Sequence, residues 1–537
     1  MLLIIRLSFV GPNWGNFIIL TLLIQSSAPY IVPMSTSKVY SAIPYGYTGH
    51  LIAAECDTSR GLPSFNIVGL PGRSVDESRQ RIRSAINNSS FTFPSLKLTI
   101  NLAPADLRKT GTHLDLPIAL SILVASKQLL QTNLDHKAFV GELALSGEIR
   151  PVRGIINIIE TAIRNGFHRI YIPSDNAKQS TLMADKIEII PVKNLRELWL
   201  QLKSIAHISP LEQIVKNTKK DKHKHVSLDQ IIGQNRAKRA LTVAVAGRHN
   251  ILFYGPPGVG KTMLAKAAGH LLPPLTPPEQ IDVTKMNSLI TTSNSASIER
   301  PFRAPHHSIS LAHLVGSNLT LLPGELSLAN HGVLFLDEFP EFSRQAIEAL
   351  RTPLEDHQVT LNRLGEKVTY PADFMLIAAM NPCPCGYYGT GIKECVCSSN
   401  SIKMYRKKLS GPILDRIDMT LMLDSIDTSV LLKTTTSSTQ QDASAKRQIL
   451  AATKRQYARF RKNTIFNSAL SSVEIAERLK LTDSARLLLN DASKKLQLSA
   501  RAYFKTIKVA QTIADLDGYP VIDEAQIAEA ICYRHPL

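Results

Sequence analysis

The stretch NILFYGPPGVGKTMLAKAAGHLL, residues 250–272, limits the possible folds more than any other part of the chain. Four apolar residues, 251–254, lead into Gly255-Pro256-Pro257-Gly258-Val259-Gly260-Lys261-Thr262, and apolar residues at helical spacing follow. A buried strand, a glycine-rich turn and a helix in that order make a phosphate-binding loop. The glycines let backbone N–H groups approach phosphate oxygens, and the helix N-terminus adds positive potential. Lys261 is positioned to reach the β- and γ-phosphates of a bound nucleotide, and the Thr262 hydroxyl to ligate magnesium. All eight residues from Gly255 to Thr262 therefore count as nucleotide-binding candidates. The surrounding fold is expected to be an α/β parallel sheet.

Such a loop needs an acidic partner, and HGVLFLDEFPEF, residues 331–342, supplies one. Val333 to Leu336 read as a buried strand that ends in Asp337 and Glu338. Asp337 is placed to hold magnesium with Thr262, and Glu338 to polarise an attacking water. A third strand, DFMLIAAMN, ends in Asn381, a polar residue suited to sensing the γ-phosphate. Two arginines stand further on: Arg416 in LSGPILDRIDMTLML and Arg501 on the helical pattern of SARAYFKTIKVAQTIADL. Phosphoryl transfer needs cationic donors, often from a neighbouring subunit. A lone arginine is more often a surface residue, so spacing alone assigns neither.

Directly after Asn381 come Cys383, Cys385, Cys395 and Cys397, four of the six cysteines in the chain. Two C-x-C pairs around GYYGTG can converge on one zinc with four thiolates, a structural site that would brace the loop leaving Asn381. A redox disulfide and reduced free thiols are the other readings. His306 and His307 are adjacent, so their side chains diverge, and they read as structural rather than as a metal pair.

At 537 residues the chain has room for two or three domains, and its net charge of +18 implies an anionic partner, nucleic acid before an acidic membrane surface. Residues 34–205 alternate strands and helices, 206–226 form a basic linker, and 227–430 hold the phosphate loop. Residues 431–445 read as a second linker and 446–537 as helical. KRQILAATKRQYARFRK, residues 446–462, has seven basic residues and no acid. It is either a phosphate-tracking helix with Tyr457 and Phe460 free to stack on bases, or a solvated face over two core aromatics. QVTLNRLGEKVTYP reads as a hairpin with Arg363 and Lys367 near its tip, placed to grip a DNA backbone if it projects into a pore. The first 33 residues hold one charge, Arg6, and an apolar run of about residues 17–24, short of the ~20 that span a bilayer. They read as a non-native or disordered extension rather than a membrane anchor, and no membrane partner is expected.

RPFRAPHH, PGELSLANHGVLFLDEFPEF, MNPCPCGYYG, SGPILDRID and SARAYFKTIKVAQTIADL occur in this order, with RGLPSFNIVGLPGRSVDESRQRIRSAI near the start. Together they resemble the YifB/ComM family of magnesium-chelatase-like AAA+ ATPases over residues 36–537. The resemblance implies an N-terminal domain like that of Lon proteases, a P-loop AAA+ core and a C-terminal helical lid. It implies ATP and magnesium as cofactors, Arg416 as arginine finger, Arg501 as second sensor, and a homo-oligomeric ring, expected to be a hexamer. The implied function is a cytoplasmic DNA motor driving branch migration in recombination or natural transformation. The rival is a chelatase-type subunit that drives metal insertion or remodels a protein partner. A non-enzymatic DNA-binding module fits poorly with intact ATP motifs. Two departures stand out. HLVGSNLTLLPGE keeps only Gly316 of a glycine run the family carries before PGE. The Lon-like part lacks a serine in KTGTHLDLPIA and a lysine in RGIINIIE, so a serine–lysine dyad cannot form and proteolysis is not expected.

Overall fold

A computed structural model describes residues 36–212, 226–292, 296–363, 366–391, 393–424, 440–460 and 465–534. The N-terminal extension, most of both linkers and the turn residues 364–365 of the hairpin lie outside the described residues.

The N-terminal α/β unit is a seven-stranded mixed sheet. Its strands are β1 (Ser37–Tyr45), β2 (Thr48–Ser59), β3 (Ser64–Val68), β4 (Lys97–Ala103), β5 (Lys137–Phe139), β6 (Arg169–Pro173) and β7 (Glu188–Val192), in the order β3-β4-β2-β1-β5-β6-β7. Helices α1 (Arg73–Asn88) and α2 (Asp115–Ala125) share one core cluster with the sheet, and α3 (Ile155–Arg164) shares another. Every residue of α2 is buried, which is why it is apolar all round rather than striped. The alternation in residues 34–205 indicates this class of fold, but β1 is not evident in it. Ser37 and Ser41 face inward there and break the apolar pattern, yet both are buried.

The second unit runs through α4 (Asn235–Gly247), β8 (Ile251–Tyr254), α5 (Lys261–Leu271), α6 (Pro277–Ile290), β9 (Phe302–Arg303), α7 (Leu311–Val315), β10 (Val333–Leu336), the hairpin β11 (Gln358–Arg363) and β12 (Glu366–Pro371), β13 (Met375–Met380) and β14 (Met419–Met422). Five strands form a parallel sheet in the order β9-β10-β13-β8-β14. β8, β10 and β13 are buried at every position, the pattern expected of parallel strands covered on both faces. β13 lies between the strand entering the phosphate loop and the strand ending in Asp337, pairing Ile377 with both Ile251 and Phe335.

The C-terminal helices α8 (Gln441–Phe460) and α9 (Ala500–Asp517) close over α4 and share a core cluster with β8 and β14. α8 begins at Gln441 rather than at Lys446, because Asp442 and Ala445 pack against the unit instead of forming a polar spacer. Of the two readings of the basic stretch, the structure matches the one with packed aromatics. Phe460 is buried, Tyr457 stands edge-on to Phe466, and Arg459 pairs with Asp515.

α6 joins the two units. The Tyr47 hydroxyl donates to Asp282 at 2.5 Å, the Lys285 ammonium pairs with Glu160 at 2.5 Å, and the Gly154 N–H donates to the Ser288 carbonyl at 2.7 Å. The β1–β2 turn also covers the hairpin. Gly46, at φ +57°, lies so close to Val368 that a Cβ there would sit 2.1 Å from a methyl carbon. The hairpin is therefore docked, not free-standing, with Val359, Leu361, Val368 and Tyr370 buried. Arg363 is half-buried and Lys367 exposed. Among the described residues, no helix is long and apolar enough to cross a membrane.

Candidate active site

The parallel sheet delivers three strand ends to one edge. At the first, Gly258 and Gly260 take φ +81° and +93°, the left-handed region that glycine enters without strain. A Cβ at either would meet nothing within 4 Å, so there is open space beside the loop backbone at the start of α5, where a helix N-terminus favours an anion. Lys261 opens α5, and its ammonium donates to the carbonyls of Gly255 (2.6 Å) and Pro256 (3.0 Å) and to the Asn381 side-chain oxygen (2.8 Å). Burial lowers its pKa to about 8, against the opposing pull of Asp337 and Glu338. The Thr262 hydroxyl donates to the Asp337 carboxylate at 2.9 Å. Two hard oxygens so close suit a shared magnesium ion that keeps most of its waters.

Glu338 follows at φ +49° and ψ +46°, a left-handed backbone unusual for a side chain of its size. Its N–H donates to Asp337 at 3.0 Å, and its carboxylate lies 3.3 Å from His307 Nδ1. Sequence expectations for Gly255 to Thr262, Asp337, Glu338 and Asn381 thus fall on one connected site, and these residues fit the phosphate chain of a nucleoside triphosphate.

Arg416 and Arg501 lie elsewhere, together. Both guanidinium groups pair with Glu355, Arg501 at 2.7 Å, and Arg416 also donates to the carbonyls of Arg351 (3.0 Å) and Pro412 (2.9 Å). Neither bonds to its own phosphate loop among the described residues. Glu355, in TPLEDH, belongs to no recognisable motif, and sequence reasoning missed it. His307, read from the sequence as structural, lies 3.3 Å from the Glu338 carboxylate. Its place just after β9, the neighbour of β10, was the available signal.

The four cysteines form a second constellation beside the first. Their sulfurs lie within 4.8 Å of one another, and separations of 3.3, 3.7 and 3.6 Å link Cys383, Cys385 and Cys395. All four are free thiols, which the disulfide reading does not match. Zinc–thiolate bonds of about 2.3 Å imply sulfur–sulfur edges of about 3.8 Å in a tetrahedron, close to what the pairs show. The knuckle touches the phosphate loop: a Cβ on Gly386 would meet Pro257 at 2.8 Å and Asn381 at 3.9 Å.

A phosphate loop, an acidic strand end and an apolar strand inserted between them that ends in polar Asn381 define a P-loop protein of the additional-strand class. Comparison with known proteins agrees. Three family models match: "Magnesium chelatase, subunit ChlI" over residues 227–431, "Subunit ChlI of Mg-chelatase" over 54–176, and "Magnesium chelatase, subunit ChlI C-terminal" over 439–534. The competence protein ComM of Haemophilus influenzae is 41% identical over 511 residues, covering 93% of this chain and 98% of that protein. YifB of Escherichia coli is 40% identical over 514 residues (93% and 97%), and YifB of Salmonella typhimurium 40% over 510 (93% and 97%). The chain belongs to the YifB/ComM family of magnesium-chelatase-like proteins.

The lowered pKa of Lys261 has a measurable consequence. The ammonium is lost as pH rises through about 8 in the free protein, whereas bound phosphates favour it. Nucleotide binding at pH 8.5 should take up a fraction of a proton per site, read as a buffer-dependent calorimetric enthalpy. Lys261→Met should abolish that dependence along with most of the affinity.

Proposed function

We propose that this protein is a magnesium-dependent ATPase that assembles as a homo-oligomeric ring, a hexamer, and moves along DNA in the cytoplasm. The observation that carries the hydrolytic part is the convergence of Lys261, Thr262, Asp337, Glu338 and Asn381 on one sheet edge. Lys261 and the loop N–H groups bind the phosphates, Asn381 orients the γ-phosphate, and Thr262 and Asp337 would hold a magnesium ion, which would supply positive charge against the phosphates. Glu338 polarises the water and receives its proton. Arg416 and Arg501 serve a neighbouring subunit's nucleotide, a reading supported by their shared seat on Glu355, away from their own loop.

DNA is favoured as the partner by the net charge of +18 and by a relative named a competence protein. Branch migration in recombination or natural transformation is the activity this family reading implies. Arg363 and exposed Lys367 are the proposed backbone contacts. The N-terminal unit, without a serine–lysine dyad, serves as a scaffold or substrate-gripping module. The second reading, a chelatase-type subunit acting on a partner protein, is favoured by the descriptions of the matching family models. ATP turnover with and without DNA separates the two. Strong stimulation supports the motor, and indifference to single-stranded, double-stranded and junction DNA supports the chelatase-type reading. Glu338→Gln should keep ATP binding and lose hydrolysis on the order of 10²-fold or more, and full turnover would contradict the assignment. Arg363→Glu with Lys367→Glu should cut DNA-stimulated turnover more than basal turnover.

The four cysteines are proposed as a structural zinc site. Its contacts with Pro257 and Asn381 mean the metal would stiffen both the phosphate loop and the γ-phosphate sensor. Elemental analysis should find about one zinc per chain, the stoichiometry of a four-thiolate site. Cys395→Ser with Cys397→Ser should remove it and lower the thermal midpoint. Metal-free protein with wild-type stability would contradict the proposal.

A further inference from the structure

The cysteine knuckle and the helix that follows it form a surface that the ATP site does not use. From Asn381 to Lys408 the chain carries the cations Lys393, Lys403, Arg406, Lys407 and Lys408 against a single acid, Glu394. The helix Ser399–Lys407 buries Ile402 and Tyr405 and leaves Lys403, Met404 and Lys407 exposed. Lys408 pairs with Glu341 at 3.1 Å, whereas among the described residues Lys393, Lys403 and Lys407 form no ion pair.

Aromatic rings are set among these cations. Lys393 Nζ lies 5.6 Å from the Tyr387 ring centre, and Arg406 Cζ lies 5.4 Å from that of Tyr388, which is 46% exposed. Uncompensated cations interleaved with accessible rings suit a single-stranded nucleic acid, whose phosphates take the lysines and whose bases stack on aromatic faces. A second copy of the chain fits less well. The centre of a subunit interface is depleted of charge, and the exposed apolar side chains here, Tyr388, Val396 and Met404, stand among lysines.

The surface is also tied to the ATP site. Arg406 Nε donates to the carbonyl of Pro382, the residue after Asn381, at 3.4 Å. Tyr405 and Leu409 share a core cluster with Leu336 and Met380, the residues before Asp337 and Asn381.

We propose that the knuckle and the helix Ser399–Lys407 are a second DNA contact, holding the backbone of a single strand through Lys403 and Lys407 and stacking a base on Tyr388. The proposal rests on the DNA reading given above and extends it beyond the hairpin.

The test is binding of a fluorescein-labelled oligothymidylate to the full chain, followed by anisotropy across a salt series, with ring assembly followed by sedimentation. Lys403→Gln with Lys407→Gln should weaken binding several-fold at unchanged assembly. It should also reduce the slope of log affinity against log salt by about 1.4, the value for two phosphate contacts on a single strand. Tyr388→Ala should weaken binding about tenfold at unchanged slope, and Tyr388→Phe, which keeps the ring, should restore it. Wild-type affinity in either the lysine variant or Tyr388→Ala would overturn the proposal. So would a lysine variant that fails to assemble while its remaining rings bind as tightly as wild type, the outcome for a subunit contact. If the wild type binds no oligonucleotide, the DNA reading falls and this proposal with it. If Arg363→Glu with Lys367→Glu weakens binding and the lysine variant does not, only this proposal falls.

Discussion

The hydrogen bonds that seat β13 between β8 and β10 put three strand ends within reach of one another. Ile377 pairs on one side with Ile251 and on the other with Phe335, so Asn381 emerges beside the phosphate loop and beside Asp337. The Lys261–Asn381 bond of 2.8 Å and the Thr262–Asp337 bond of 2.9 Å follow from that register. A parallel strand slipped by one residue would reverse which side chains face the helices. The apolar runs ILFY, VLFL and MLIAAM are buried on both faces, as central parallel strands covered by helices are.

Around this edge the chain fastens its other two parts to the parallel sheet. Asp418, at the start of β14, is buried. Burial would raise its pKa, but Lys505 of α9 and His249 outweigh that and keep it ionised, fastening the helical lid to the sheet. On the opposite side, α6 receives the N-terminal unit through Tyr47, Gly154 and Glu160. The same α6–hairpin region carries Val368 and Tyr370, against which the β1–β2 turn packs. The N-terminal unit thus packs against the hairpin that leads into β13 and Asn381, and the helical lid is fastened at β14.

The parts of this arrangement legible in the sequence are those written in contiguous residues. The phosphate loop, the acidic strand end and the Asn381 strand are each a local pattern of apolar run plus polar terminus, and their chemistry survives without knowledge of the fold. The helical start at Gln441 was hidden because Asp442 and Ala445 are buried by distant partners, not by local periodicity. β1 was hidden by inward-facing serines. The Arg416–Glu355–Arg501 group joins three separate segments, and no spacing rule reports such a meeting. The docking of the hairpin depends on Gly46, more than three hundred residues upstream of Val368 in the chain. His307 shows the same limit, since its significance lies in a neighbouring strand.

The central claim is that a complete ATP site is built from two copies of this chain, with the phosphate loop from one and the Glu355-held arginines from the next. Mixing Lys261→Ala protein with Arg416→Ala protein tests this most directly. Each variant alone should be inactive as an assembled ring. In the mixture, some interfaces pair an intact loop with an intact arginine, and ATP turnover should return to a substantial fraction of wild type. Mixed rings that stay as inactive as their parents, or an Arg416→Ala ring that hydrolyses ATP normally, would contradict the account.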